Sequence, residues 1–151
     1  MTAHLVRRAH GRWTFGDATL HTRGSMRRGT LRTAAGDFDV EATDRRRLGV
    51  AARIDGRPVV ALRPDGARVP GAGGAVRWSL GRHSATLTRG EARVHVQSGW
   101  RGARLRVEVT GDWAEADLVV LTACFAVLTR RRQRLITAMA IAMASGARGP
   151  R

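Results

Sequence analysis

Between residues 12 and 110, apolar and polar side chains alternate over short runs, and glycine-containing turns interrupt them about every eight to twelve positions, the signature of half-buried strands. The clearest runs are Trp13 with Phe15, FDVEA at 38–42, Val76–Leu80, Ala85–Thr88, Ala92–Val96 and Leu105–Val109. In the last of these Leu105, Val107 and Val109 point one way and Arg106 and Glu108 the other, giving one core face and one wet face. Asp55-Gly56 suits a tight hairpin that needs positive φ, and Pro64-Asp65-Gly66 suits a longer reversal, so residues 48–69 read as a meander. The run PGAGGA at 70–75 reads as a flexible loop joining two β regions. This spacing predicts roughly nine to twelve short strands before residue 111, arranged as an antiparallel sandwich or barrel.

The pattern then changes period. Gly111-Asp112 ends the last strand, Asp112 is placed to cap a helix, and Glu115 lies three residues on, where it can close a capping box. A helix is expected over about 113–129. From Leu118 to Leu128 only Thr122 interrupts an apolar sequence, so the helix has no wet face and must be enclosed by protein or lie in lipid. At 1.5 Å per residue it is roughly 25 Å long, near the height of a small barrel and short for a bilayer. Arg130, Arg131 and Arg132 complement the negative end of its dipole. A second apolar segment, LITAMAIAMAS at 135–145, predicts a second short helix over about 133–145, followed by a tail at 146–151. Three fates for it stay open: continuing the first helix, packing outside the sheet, or self-association. A membrane hairpin over 113–145 would carry four arginines to its buried tip, each costing about 2.5 kcal/mol or more, whereas an interfacial anchor lets them reach head groups.

The chain of 151 residues is the size of one domain and is read as a single domain, 1–151. Its net charge is +15, with every basic residue other than histidine an arginine. Such a potential draws a protein towards nucleic acid, anionic lipid or acidic proteins in a salt-dependent way. Arginine without lysine also follows from a GC-rich genome's codon usage, but that does not account for the shortage of Asp and Glu. One cysteine, Cys124, rules out an internal disulfide. Residues 1–12 lack the apolar stretch of a secretory signal, and no window reaches the ~18 apolar residues of a spanning helix, so the expected location is cytoplasmic, peripheral to a membrane if lipid is the ligand.

Gly99-Trp100-Arg101-Gly102, the strand Leu105–Val109 and the sequence Gly111-Asp112-Trp113-Ala114-Glu115-Ala116-Asp117 leading into the apolar helix resemble the tubby-like superfamily. This group includes the tubby C-terminal domain, LURP-one-related proteins and phospholipid scramblases. The resemblance implies an antiparallel β-barrel threaded by a central hydrophobic helix, with phosphorylated lipid head groups as the ligand class.

No catalytic set stands out. His4, His10, His21, His83 and His95 are scattered, no Gly-x-Ser-x-Gly elbow is present, and Gly71–Gly74 lacks the lysine of a phosphate loop. No cofactor or metal is implied, although dispersed groups such as His83, His95 and Glu91 could meet in a fold. Cys124, between Ala123 and Phe125, is expected to be a small core filler, and the four tryptophans are expected at the core or rim. The anion-binding candidates are the arginine groups Arg27-Arg28, Arg45-Arg46-Arg47 and Arg130-Arg131-Arg132, with Arg7-Arg8 beside them, since the guanidinium fork matches phosphate. The sequence thus points to a non-enzymatic module that contacts an anionic ligand or membrane surface, with a basic nucleic-acid-associated protein or a scaffold domain as alternatives.

Overall fold

A computed structural model describes residues 1–8, 11–23, 27–43, 49–71, 74–99 and 104–147, with the side chains of 6–8 and 146–147 outside the description. The described residues form β1 (Thr2–Arg8), β2 (Arg12–Phe15), β3 (Ala18–Thr22), β4 (Arg28–Thr33), β5 (Gly36–Ala42), β6 (Val50–Ile54), β7 (Arg57–Arg63), β8 (Gly66–Arg68), β9 (Arg77–Leu80), β10 (Ser84–Arg89), β11 (Ala92–Ser98), β12 (Arg104–Thr110) and one helix, α1 (Ala116–Ala147). Every pairing is antiparallel, and nearly all join neighbours in sequence; the spatial order runs from β8 through β1 to β12 and on to β9.

β1 is the seam. Its first residues pair with β12, Thr2 opposite Glu108 and Leu5 opposite Leu105, while Arg7 and Arg8 pair with Trp13 and Arg12 of β2. One strand thereby belongs to two antiparallel sheets, which fold around α1: the helix packs on β10 and β11 on one side and on β3 to β7 on the other. No ladder joins β8 to β9 among the described residues, so the wrap is not closed by hydrogen bonds as a barrel would be. β8 and β9 nonetheless lie against each other.

Alternation decides which side chains meet the helix. Trp13, Leu20, Leu31, Phe38, Val40, Val60, Leu62, Leu87, Val94, Val96, Leu105 and Val107 point inward and are buried. Against them the helix is buried on every face from Leu118 to Thr129. The two hydroxyls of this stretch are satisfied without breaking that environment: Thr122 donates to the Leu118 carbonyl at 2.7 Å and Thr129 to that of Phe125 at 2.8 Å. The Asp55-Gly56 turn takes φ values of 50° and 78°, the left-handed pair a two-residue hairpin requires.

Three expectations are corrected. The sheet begins at Thr2, not residue 12, because Ala3 and Leu5 supply an inward face too short to stand out. The helix begins at Ala116, not 113. Glu115, at φ 52°, ends a turn, and its carbonyl accepts the first helical amide, that of Val119 at 3.2 Å. No capping box forms with Asp112. Finally, there is one continuous helix to Ala147 in place of two, because Arg130 to Arg134 contain no glycine or proline and arginine and glutamine are good helix formers. Arg130 to Arg132 therefore lie mid-helix and not at a C-terminal dipole.

Candidate anion-binding surface

The helix gives the molecule two unlike ends. It enters beside the β4–β5 turn, where Thr33, Ala34 and Ala35 share a hollow with Glu115 to Leu118. Arg89 clasps this end, its guanidinium 4.9 Å from the Trp113 ring centre and donating to the Asp112 carbonyl at 2.7 Å. Glycine is required here: Gly111 has φ 78°, and a Cβ on it would come within 2.6 Å of the Ala92 Cβ. Strand turns at the same end carry Asp17, Asp37, Asp55 and Glu91, beside Asp112, Glu115 and Asp117 at the helix start, and strand ends there also carry Arg57, Arg68, Arg77 and Arg89, so acids and arginines are mixed at this end.

The enclosed length from Leu118 to Thr129 spans roughly 18 Å, and strands of five to seven residues span about 17–23 Å. The helix thus leaves the wrap at the opposite end. There the described strand ends bring together Arg12 at the start of β2, Arg23 after β3, Arg27 and Arg28 before and within β4, Arg63 ending β7, Arg82 in the β9–β10 turn and Arg104 opening β12. Arg130, Arg131, Arg132 and Arg134 emerge at this rim. Among the described residues, the Nε of Arg130 is buried there with no hydrogen-bond partner. Among the described residues the acids at this end are few: Glu41, paired with Arg53 at 3.5 Å, and Asp65.

From that rim a groove of about 330 Å³ runs down the outer face of β2, β3 and β4, lined by Arg12, Thr19, His21, Arg23, Thr30 and Arg32. Register builds it. Arg12 lies opposite His21 and His21 opposite Thr30, while Thr19 lies opposite Arg32. Each alternates with a buried neighbour, Trp13, Leu20 or Leu31, so the sheet that buries those three holds the polar set outward. Gly29 permits the tight β3–β4 approach, since a Cβ there would lie 2.8 Å from the His21 carbonyl oxygen. Arg32 has a loose contact with Asp37 at 4.0 Å, both side chains largely exposed. Arg12 and Arg23 have no ion pair among the described residues. Three guanidinium forks, two hydroxyls and an imidazole in one concavity can bind a phosphate or another polyanion by charge-assisted hydrogen bonds.

Of the arginines singled out by sequence, Arg27 and Arg28 are exposed at the rim near this groove, and Arg130 to Arg132 surround the helix exit. Arg45, Arg46 and Arg47 lie outside the described residues, as do Trp100, Arg101 and Gly102. Arg12, Arg23 and Arg32 were missed because none belongs to a run of basic residues. Counting back from the Gly16-Asp17 hairpin would have set Arg12 opposite His21.

The other chemistry-bearing residues have structural explanations. The Nδ1 of His95 lies 2.9 Å from the Thr86 hydroxyl on the neighbouring strand, and no cluster of metal-ligating side chains occurs among the described residues. Cys124 is buried, and desolvation pushes its thiol pKa far above the ordinary value. Trp13, Trp78 and Trp113 are buried.

These features define a basic, antiparallel β protein wrapped around an apolar helix, with a cationic groove on its outer face. No family model, curated protein or solved structure matches the chain.

Proposed function

We propose that the chain is a non-enzymatic binding module of the tubby-like or LURP-one type, and that its ligand is an anionic surface of phosphorylated lipid head groups. In this reading the helix-wrapping sheets correspond to the barrel of that superfamily, and the protein works at the cytoplasmic face of a membrane. The observation that carries the reading is the groove of Arg12, His21, Arg23 and Arg32. It opens onto a rim where, among the described residues, arginines greatly outnumber acids, so head groups can enter it while the rim faces the rest of an anionic layer. A nucleic-acid role is less well supported, because no tryptophan, tyrosine or phenylalanine lines the groove to stack on bases.

Flotation with vesicles containing phosphorylated inositol lipids, phosphatidylserine or phosphatidylcholine alone tests this, run beside a salt-titrated shift assay with DNA and RNA. Retention by the phosphorylated lipid, weakened by Arg12→Ala, Arg23→Ala or Arg32→Ala, is the expected result. A charge-assisted hydrogen bond contributes about 1.5–3 kcal/mol, so each substitution should weaken binding by roughly tenfold or more. Equal affinity for polynucleotide and all anionic vesicles, unmoved by these substitutions, would refute a built site.

A further inference from the structure

Beyond Arg134 the helix continues into water with an apolar surface. Leu135, Ile136, Met139, Ile141 and Met143 are each more than half exposed. We infer that residues 135–144 insert obliquely into the head-group and acyl boundary of an anionic membrane, with Arg130 to Arg134 as the collar that fixes their depth. The inference deepens the proposed function, since it says how the lipid surface is held once the groove has met it.

Three observations select lipid over a protein partner. First, Leu135, Ile136, Met139 and Met143 share one side of the helix at spacings i, i+1, i+4 and i+8, but Ile141 lies opposite them, so one partner helix would leave part of the apolar surface wet. Lipid has no such sidedness. Second, the segment is rooted among arginines on a chain of charge +15, and pairing two copies through it would bring like charges together. An anionic layer complements the same collar. Third, the segment is the wrong length to cross: residues 135–144 extend roughly 15 Å, about half the hydrocarbon core. No described helix is long and apolar enough to span a membrane. Arg134 precedes the segment and Arg148 follows it in sequence, so an upright insertion would carry one arginine towards the bilayer centre, whereas a shallow, oblique one leaves both within reach of head groups.

The test uses the full chain carrying Met139→Cys labelled with an environment-sensitive fluorophore. The native Cys124 stays silent because it is buried and its thiol holds its proton. Vesicles of phosphatidylserine with phosphatidylcholine should shift the emission to the blue, and brominated acyl chains should quench it. Ile136→Glu with Met143→Glu should lower vesicle retention at least about tenfold while leaving the groove's affinity for inorganic pyrophosphate unchanged. Vesicle binding without blue shift or quenching would overturn insertion and leave the groove reading standing. A blue shift without vesicles that grows with protein concentration would assign the segment to self-association instead. Insertion that survives Arg12→Ala, Arg23→Ala and Arg32→Ala together, with pyrophosphate binding absent throughout, would keep the anchor and remove the groove.

Discussion

Replacing Phe125 by alanine tests whether sheet truly surrounds the helix, and Met139→Ala is its internal control. Both positions are interior to α1, so cap and end effects are absent from the comparison. Phe125 is 0% exposed and Met139 57% exposed. A fully enclosed phenylalanine truncated to alanine loses its transfer free energy and leaves a cavity that rigid strands on both sides cannot close, a cost of about 3–5 kcal/mol. Alanine's higher helix propensity returns roughly half a kcal/mol. Met139→Ala should change stability by no more than about 0.5 kcal/mol in the absence of lipid, because more than half of it is exposed to water. For a chain of this size each kcal/mol moves the midpoint by about 2–4 °C, so Phe125→Ala should lower Tm by roughly 6–20 °C and Met139→Ala hardly at all. Urea titration followed by tryptophan emission reads this directly, since Trp13, Trp78 and Trp113 are buried and all report on unfolding. Should Phe125→Ala fail to fold, Phe125→Leu at a smaller cost keeps the comparison. A loss of under about 1 kcal/mol at Phe125, or equal losses at both sites, would mean that the helix is not wrapped on all sides.

Gly111→Ala should destabilise by about 2 kcal/mol or more, and Gly56→Ala by less, because both have φ 78° but only at Gly111 would a Cβ collide with a neighbour; paired urea midpoints separate the two contributions. Cys124 should resist alkylation in the native protein and react only on unfolding. Because burial raises its folded pKa, the folded state keeps a proton that the unfolded state sheds, so stability is full below the ordinary value of about 9 and falls as pH rises above it. The slope should approach about 1.4 kcal/mol per pH unit and disappear in Cys124→Ala, and with neither tyrosine nor lysine in the sequence few other groups titrate there. Arg89→Ala should cost about 1 kcal/mol by removing both the Trp113 stacking and the bond to the Asp112 carbonyl, and Arg89→Lys should recover only part of it, since lysine lacks the planar fork; thermal melts read both.

Local rules carried much of the sheet. At Leu105 to Val109 a period of two was enough to say which side chains face inward, and Leu105 and Val107 are fully buried. At Asp55-Gly56 the dipeptide itself demanded the left-handed backbone that is found. The helix core was equally legible, because eleven residues with one hydroxyl between them leave no face for water. β1 was not legible, since its place depends on a partner about a hundred residues away in sequence, Leu105 opposite Leu5. The groove was hidden for the same reason: Arg12, His21, Thr30 and Arg32 become neighbours only through the registers of two hairpins, and no single stretch of sequence contains the set.

The break between two helices was misread for a different reason, and that reason bears on function. A cluster of arginines suggests a helix end when composition is the only guide, yet the chain contains nothing there that stops a helix. What changes at Arg130 is the surroundings. Strands of five to seven residues can cover about 18 Å of helix, and α1 has used that length by Thr129, so residues beyond it lie outside the wrap however apolar they are. A sequence shaped only by folding would turn polar at that step, since exposed Leu, Ile and Met add nothing to the enclosed core. Here the sequence turns basic for five residues, four of them arginine, and then apolar again for about ten. Collar and apolar segment together fit the proposed boundary, where water, anionic head groups and hydrocarbon follow one another within a few ångström.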